Sequence, residues 1–141
     1  MKTESFITET VILKLTMPQP AGQSDTVLVS QSGETIATTV EIADSWWQRF
    51  KGLQFRKPLP DGHAILLRPC SSIHTFWMRF SIDVAFLDGE LGVIEIHRDV
   101  RPWRTLIPQT RSVVVLEMSA GSLPICIKPG DVLAWSAMET L

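Results

Sequence analysis

The chain has 141 residues, 45% of them hydrophobic and 20% charged, which suits one domain with a proper core and leaves little room for two. Thirteen basic against fifteen acidic side chains give a formal net charge of −2, which excludes a generally basic nucleic-acid binder. No apolar run approaches the roughly 20 residues of a membrane span.

Residues 1–26 read as an extended N-terminal arm. Val11 to Leu15 is a candidate short strand, and the prolines and glycine between Met17 and Asp25 break any regular structure. Glu4, Glu9 and Lys14 interrupt the pattern of a signal peptide, so the expected location is cytoplasmic. Residues 27–141 are expected to form a single β-rich domain. Val27 to Ile42 reads as a hairpin about Ser32-Gly33. Asp44 or Ser45 can cap a short helix through Trp46, Trp47, Phe50 and Leu53, with Gly52 as its stop. Adjacent helical residues face different ways, so one of the two tryptophans is expected in the core and the other half-buried.

Lys57 to Gly62 is a turn, because two prolines and a glycine fit no regular element. Ala64 to Leu67 is an apolar strand. Thr75 to Phe80 alternates, placing His74, Phe76, Met78 and Phe80 on one side of an expected strand. Val84 to Leu87 is apolar on both faces and reads as an inner strand, joined through Asp88-Gly89 to Val93–His97. Val113 to Met118 and Val132 to Trp135 are further strands, separated by a turn or short helix near Ala120–Pro124 and a turn at Lys128–Asp131. The fold class is mainly β: a compact small barrel or sandwich with one or two short helices. One core is expected, from Phe76, Met78, Val84, Phe86, Ile94, Val115, Leu116 and Leu133.

Several segments together resemble the uncharacterised domain of unknown function 192 family. They are Lys51-Gly-Leu-Gln-Phe-Arg56, Ile73-His-Thr-Phe-Trp-Met-Arg-Phe-Ser-Ile-Asp-Val-Ala-Phe-Leu-Asp88, Arg101-Pro-Trp-Arg104, Val115-Leu-Glu-Met-Ser-Ala-Gly121 and Lys128-Pro-Gly-Asp131. The resemblance covers about residues 36–136. Gln54 stands where a methionine is usual. The resemblance implies a small, mostly β domain found in bacteria and archaea, and it implies no activity.

Polar residues inside these segments are the candidates for chemistry. His74 shares a strand face with apolar neighbours, Asp83 opens an apolar strand, and Glu117 lies on a face with Val113 and Val115. A carboxylate on an apolar face needs a partner or a raised pKa. Arg56, Arg79 and Arg104 are the expected partners, because a guanidinium meets a carboxylate bidentately. A buried ion network tying strands together is expected before a ligand pocket in which His74, Arg79, Asp83 and Glu117 converge. Arg101, Trp103 and Arg104 form a proline-stiffened loop suited either to gripping an aromatic or anionic group or to covering the barrel mouth. Residues 49–111 hold ten basic and six acidic side chains, a local excess that can face an anion.

Cys70 and Cys126 read as small buried hydrophobes in a reducing compartment. Zinc held by Cys70, His74 and others is the lesser alternative; without Cys-x-x-Cys or His-Glu-x-x-His, no metal and no cofactor are expected. The preferred function is a non-enzymatic binding or accessory module for a small polar or anionic ligand or a protein partner, with neither nucleic acid nor membrane as partner. A small hydrolase using His74 with Asp83 or Glu117, and a purely structural domain, are the alternatives.

Overall fold

The computed structural model describes residues 26–137. The arm up to Asp25, with its candidate strand at Val11 to Leu15, lies outside the described residues. Strand β1 (Thr26–Ser30) and β2 (Thr35–Ala37) form the expected hairpin, closed at Gly33 by its N–H on the Ser30 carbonyl at 3.0 Å. Gly33 sits at φ +86°, where a side chain would be strained. Strand β10 (Leu133–Ala137) adds to the other edge of β1, giving a three-stranded sheet β10-β1-β2.

The hairpin ends sooner than the sequence implies. Strand β3 (Thr39–Ala43) leaves it and pairs parallel with β4 (His63–Leu67) in a second sheet. A parallel pair requires a crossover, and helix α1 (Trp46–Lys51) with the proline turn after it supplies one. The second sheet has the order β3-β4-β9-β6-β7, with β6 (Ile82–Leu87), β7 (Val93–Val100) and β9 (Val114–Ser119). Every residue of β6 is buried, and β7 and β9 flank it, so it is the inner strand its composition implies. An isolated bridge from Gly92 to Val132 ties the two sheets at one corner. Among the described residues no sheet closes into a barrel.

The apolar residues divide into two clusters, one on each face of the five-stranded sheet, in place of one core. The first lies between the two sheets and includes Leu28, Ile36, Leu66, Ala85, Leu116, Met118 and Leu133. The second, with Ile65, Leu67, Ile73, Met78, Val84, Phe86 and Val115, is covered by Leu53 and irregular chain. Ile94 is only half-buried and Phe76 is 36% exposed, so neither is the core residue the alternation implies.

The expected strand at Thr75 to Phe80 is the main departure. Only β5 (Ile73–His74) is extended there, paired with β8 (Thr105–Leu106). Trp77 adopts φ +64°, which ends an extended chain and cancels its alternation. Thr75 is fully buried and acts as a hub. Its N–H donates to the Arg104 carbonyl (2.8 Å), its hydroxyl donates to the Arg101 carbonyl (2.8 Å), and its carbonyl accepts from Trp103 N–H (3.0 Å). The 75–78 and 101–104 loops are thereby fixed to each other.

Candidate pocket and aromatic rim

Helix α1 begins at Ser45, whose hydroxyl accepts from Gln48 N–H at 3.2 Å while the Gln48 side chain accepts from Ser45 N–H at 3.3 Å. This reciprocal cap starts the helix, and Gly52 at φ +45° stops it after six residues. None of those six is buried. Leu53, just past the stop, takes the apolar place under the helix instead. Trp46 and Trp47 are 69% and 62% exposed, which corrects the expectation that they pack into the core. They stack with Phe50 on the outside, at ring separations of 5.5 Å and 6.1 Å.

Between this helix and the 70–78 segment lies a pocket of about 250 Å³. Leu53, Leu67, Ile73 and Met78 give it apolar walls, and Trp46, Phe50 and His74 also line it. Glu117 of β9 lines it too. That side chain is 4% exposed and makes no hydrogen bond or ion pair among the described residues. Burial pushes its pKa up to about 7. The Cys70 thiol, also at the pocket, donates to the Ser72 carbonyl at 3.2 Å. Burial raises its pKa, with Glu117 adding to the rise and Arg49 opposing it, so the group is a thiol at neutral pH and a poor nucleophile. The Arg49 guanidinium is held by the carbonyls of Asp44 (2.9 Å) and Arg68 (3.3 Å).

The four residues expected to converge do not. In the β6–β9 ladder Val84 stands opposite Glu117 and Asp83 opposite Met118. Successive side chains on a strand point to opposite faces, so Asp83 and Glu117 lie on opposite sides of the sheet. Asp83 is 2% exposed and is used by the backbone: its carboxyl accepts from Asp99 (3.0 Å), Gly121 (2.9 Å) and Leu123 (3.2 Å). The pairing of His74 with Asp83 as acid and base is therefore closed off by the sheet. His74 shares the pocket with Glu117, and its Nδ1 accepts from Phe76 N–H at 3.3 Å.

The expected arginine–carboxylate network is also absent among the described residues. Arg56 pairs with the exposed Glu41 at 3.0 Å, the other ion pair is His97 with Glu95, and the exposed Arg79 joins neither. No group of three or more His, Cys, Asp or Glu side chains among them could hold a metal ion. None of their helices is long and apolar enough to cross a membrane.

Arg101, Trp103 and Arg104 are exposed on the loop that Thr75 secures. Trp103, 53% exposed, stacks on Phe76 at 5.6 Å and meets Trp77 edge-on at 4.9 Å; Trp77 in turn stacks on Phe55 at 5.9 Å. His74 lies 4.9 Å from Phe76 and links this row to the pocket. Sequence reasoning missed Phe55, Trp77 and the hub at Thr75. Phe55 and Trp77 depend on left-handed backbone at non-glycine residues, for which the sequence carries no signal, and Thr75 on bonds to a segment distant in sequence.

A model of the family described as DUF192, Uncharacterized ACR, matches residues 27–135. This range takes in the β1–β2 hairpin as well as the segments that carry the resemblance. The UPF0127 protein of Pyrococcus horikoshii is 42% identical over 101 residues, 68% of this chain and 86% of its own. That of Pyrococcus abyssi is 36% identical over 103 residues, again 68% of this chain and 85% of its own. Among solved structures, the chain is similar to a Sinorhizobium meliloti protein provisionally described as a transcription regulator. The TM-score is 0.69 at 25% identity, over 78% of this chain and 91% of that one. A Novosphingobium aromaticivorans protein of unknown function shares the fold at a TM-score of 0.66 and 23% identity, over 78% and 83% of the two chains.

Proposed function

The chain belongs to the DUF192 family, and from that premise we propose that it is a non-enzymatic binding module whose ligand enters the pocket between α1 and β5. The observation that carries this reading is Glu117: a carboxyl only 4% exposed that lines the pocket and makes no hydrogen bond among the described residues. No fully buried side-chain oxygen or nitrogen among those residues is left unsatisfied, so the carboxyl's free capacity is turned to the pocket, where a ligand can meet it. With its pKa near 7 the carboxyl can accept from a ligand donor or, protonated, donate to a ligand acceptor.

The pocket falls a little short of the roughly 300–1,000 Å³ of drug-sized sites. It suits a ligand fragment the size of one amino-acid side chain, with an apolar body against Leu53, Leu67, Ile73 and Met78 and a polar tip at Glu117. The protonated thiol at Cys70, the sheet between His74 and Asp83, and the lack of a hydrogen bond between His74 and Glu117 among the described residues favour binding over hydrolysis.

A thermal-shift screen with small amines, amides and polyols tests the reading. A ligand at about 100 times its Kd adds roughly 2.7 kcal/mol of stability, and Glu117→Gln should remove or sharply weaken the shift. Equal shifts in both proteins, or no shift in the wild type, would overturn it.

A further inference from the structure

The row of rings beside the pocket is more than a scatter of exposed apolar residues. It runs from Phe55 through Trp77 and Trp103 to Phe76 and reaches the pocket at His74. Trp46 and Phe50 stack on the pocket's opposite lip. A contiguous apolar patch of this kind marks an interaction site. It is also built at a cost. Among the described residues five non-glycine residues have left-handed backbone, and three of them, Phe55, Trp77 and Trp103, are members of this one exposed row. Side chains disfavour that conformation, and it persists where surrounding structure enforces it, often at functional sites. Thr75, with its bonds to the 101–104 loop, is what enforces it at Trp77 and Trp103.

The charge of the same segments identifies the partner. Residues 46–57, 73–80 and 101–104 carry five arginines and two lysines and no acidic residue, an excess that outweighs the exposed Asp44 and Asp99 flanking them. Only Arg56 is neutralised by an ion pair among the described residues. We propose that this face docks an acidic polypeptide segment, which lays its carboxylates along the arginines and its backbone across the rings. The proposal rests on the pocket reading for one part only, the anchor: a side chain with an apolar stem and a donor tip that enters beside Glu117.

Three observations favour a polypeptide over other occupants. Tryptophan and arginine in excess over lysine is the composition of protein interfaces and their hot spots. A bilayer would leave the pocket in the middle of the face unused. A second copy of this chain would set like charge against like in a two-fold contact.

The test uses the full chain and labelled peptides of alternating Glu and Gly around one central Lys, Tyr or Ala, followed by fluorescence anisotropy. Binding is expected to weaken steeply with salt, and to fall at least tenfold in the exposed-site double variant Arg101→Glu/Arg104→Glu and in Trp103→Ala. The Lys and Tyr peptides should bind more tightly than the Ala peptide, and Glu117→Gln should erase only that difference. Failure of all peptides, or binding undiminished by the charge reversal, overturns the proposal. So does salt-sensitive binding to phosphatidylglycerol vesicles in place of the peptides, or concentration-dependent self-association that Trp103→Ala abolishes. Peptide failure alongside Glu117-dependent shifts with small ligands rejects the docking face alone. Charge-dependent peptide binding with no anchor preference keeps the face and rejects the pocket.

Discussion

Asp83 holds three backbone N–H groups that belong to two separate segments, Asp99 on β7 and Gly121 and Leu123 after β9. A lone acid at the head of an apolar strand already implies a carboxyl used in that way. Replacing it by asparagine leaves one oxygen and adds unwanted donors, so Asp83→Asn should lose roughly 1–3 kcal/mol in urea denaturation. Asp61→Asn should stay within about 0.5 kcal/mol, because among the described residues Asp61 accepts only from Ser122, at 3.3 Å in an exposed turn. Similar small losses at both positions would refute the staple. Glu117 gives a pH signature of its own. Its pKa rises from 4.5 to about 7 on folding, so the folded chain keeps a proton that the unfolded chain releases between those values. The stability from this proton is complete below about pH 4.5 and is lost as pH rises through about 7. Glu95, lowered by the Gln109 N–H and by His97, acts in the opposite sense and at more acid pH. The melting temperature of the wild type relative to Glu117→Gln should therefore fall between about pH 5 and pH 8; parallel curves would contradict the buried, proton-holding carboxyl.

At the scale of elements, α1 illustrates a helix set by its ends. It buries none of its residues, so its caps and the stacking of its own rings hold it, with the Arg49 bond to the Arg68 carbonyl as its tie to the chain outside. Ser45→Ala should cost about 1 kcal/mol, and the loss should be local. Hydrogen exchange at Arg49 and at Gly52, whose N–H groups bond to the Ser45 and Gln48 carbonyls, should quicken several-fold while β9 stays protected. Unchanged exchange at those amides would show that tertiary contacts, not the cap, hold the helix. The stop at Gly52 was legible and the start was narrowed to Asp44 or Ser45, because caps act through local geometry; the Gln48 half of the cap and the end of the helix before Leu53 were not. The loop from Thr75 to Phe80 was not, because its alternation of apolar and polar residues imitates a strand, and the bonds from Thr75 to Arg101 and Arg104 that bend it join residues distant in sequence.

For the whole molecule, the second apolar cluster matters because the pocket opens above it. Phe86 is fully buried in that cluster, on the inner strand, while Phe76 belongs to the exposed row. Phe86→Ala should therefore cost about 3–5 kcal/mol, and Phe76→Ala should stay below about 1 kcal/mol, read from urea unfolding of each variant. Comparable losses would return Phe76 to the core and dissolve the aromatic row.

The sequence by itself determined the mainly β class, the inner strand β6, the capped helix and the turns, since each follows from periodicity or from residues a few positions apart. It also marked Glu117 and Asp83 as carboxyls in apolar surroundings. Which face each one occupies was decided only by the tertiary structure. Alternation fixes the relative directions of side chains within one strand, but the relation between strands depends on register, and the β6–β9 ladder places Val84 opposite Glu117. That pairing puts Glu117 in the pocket and Asp83 under the loops behind the sheet. The exposed row of Phe55, Trp77 and Trp103 was decided in the same way, because their left-handed backbone is imposed by contacts between distant segments and not by any preference of the residues themselves.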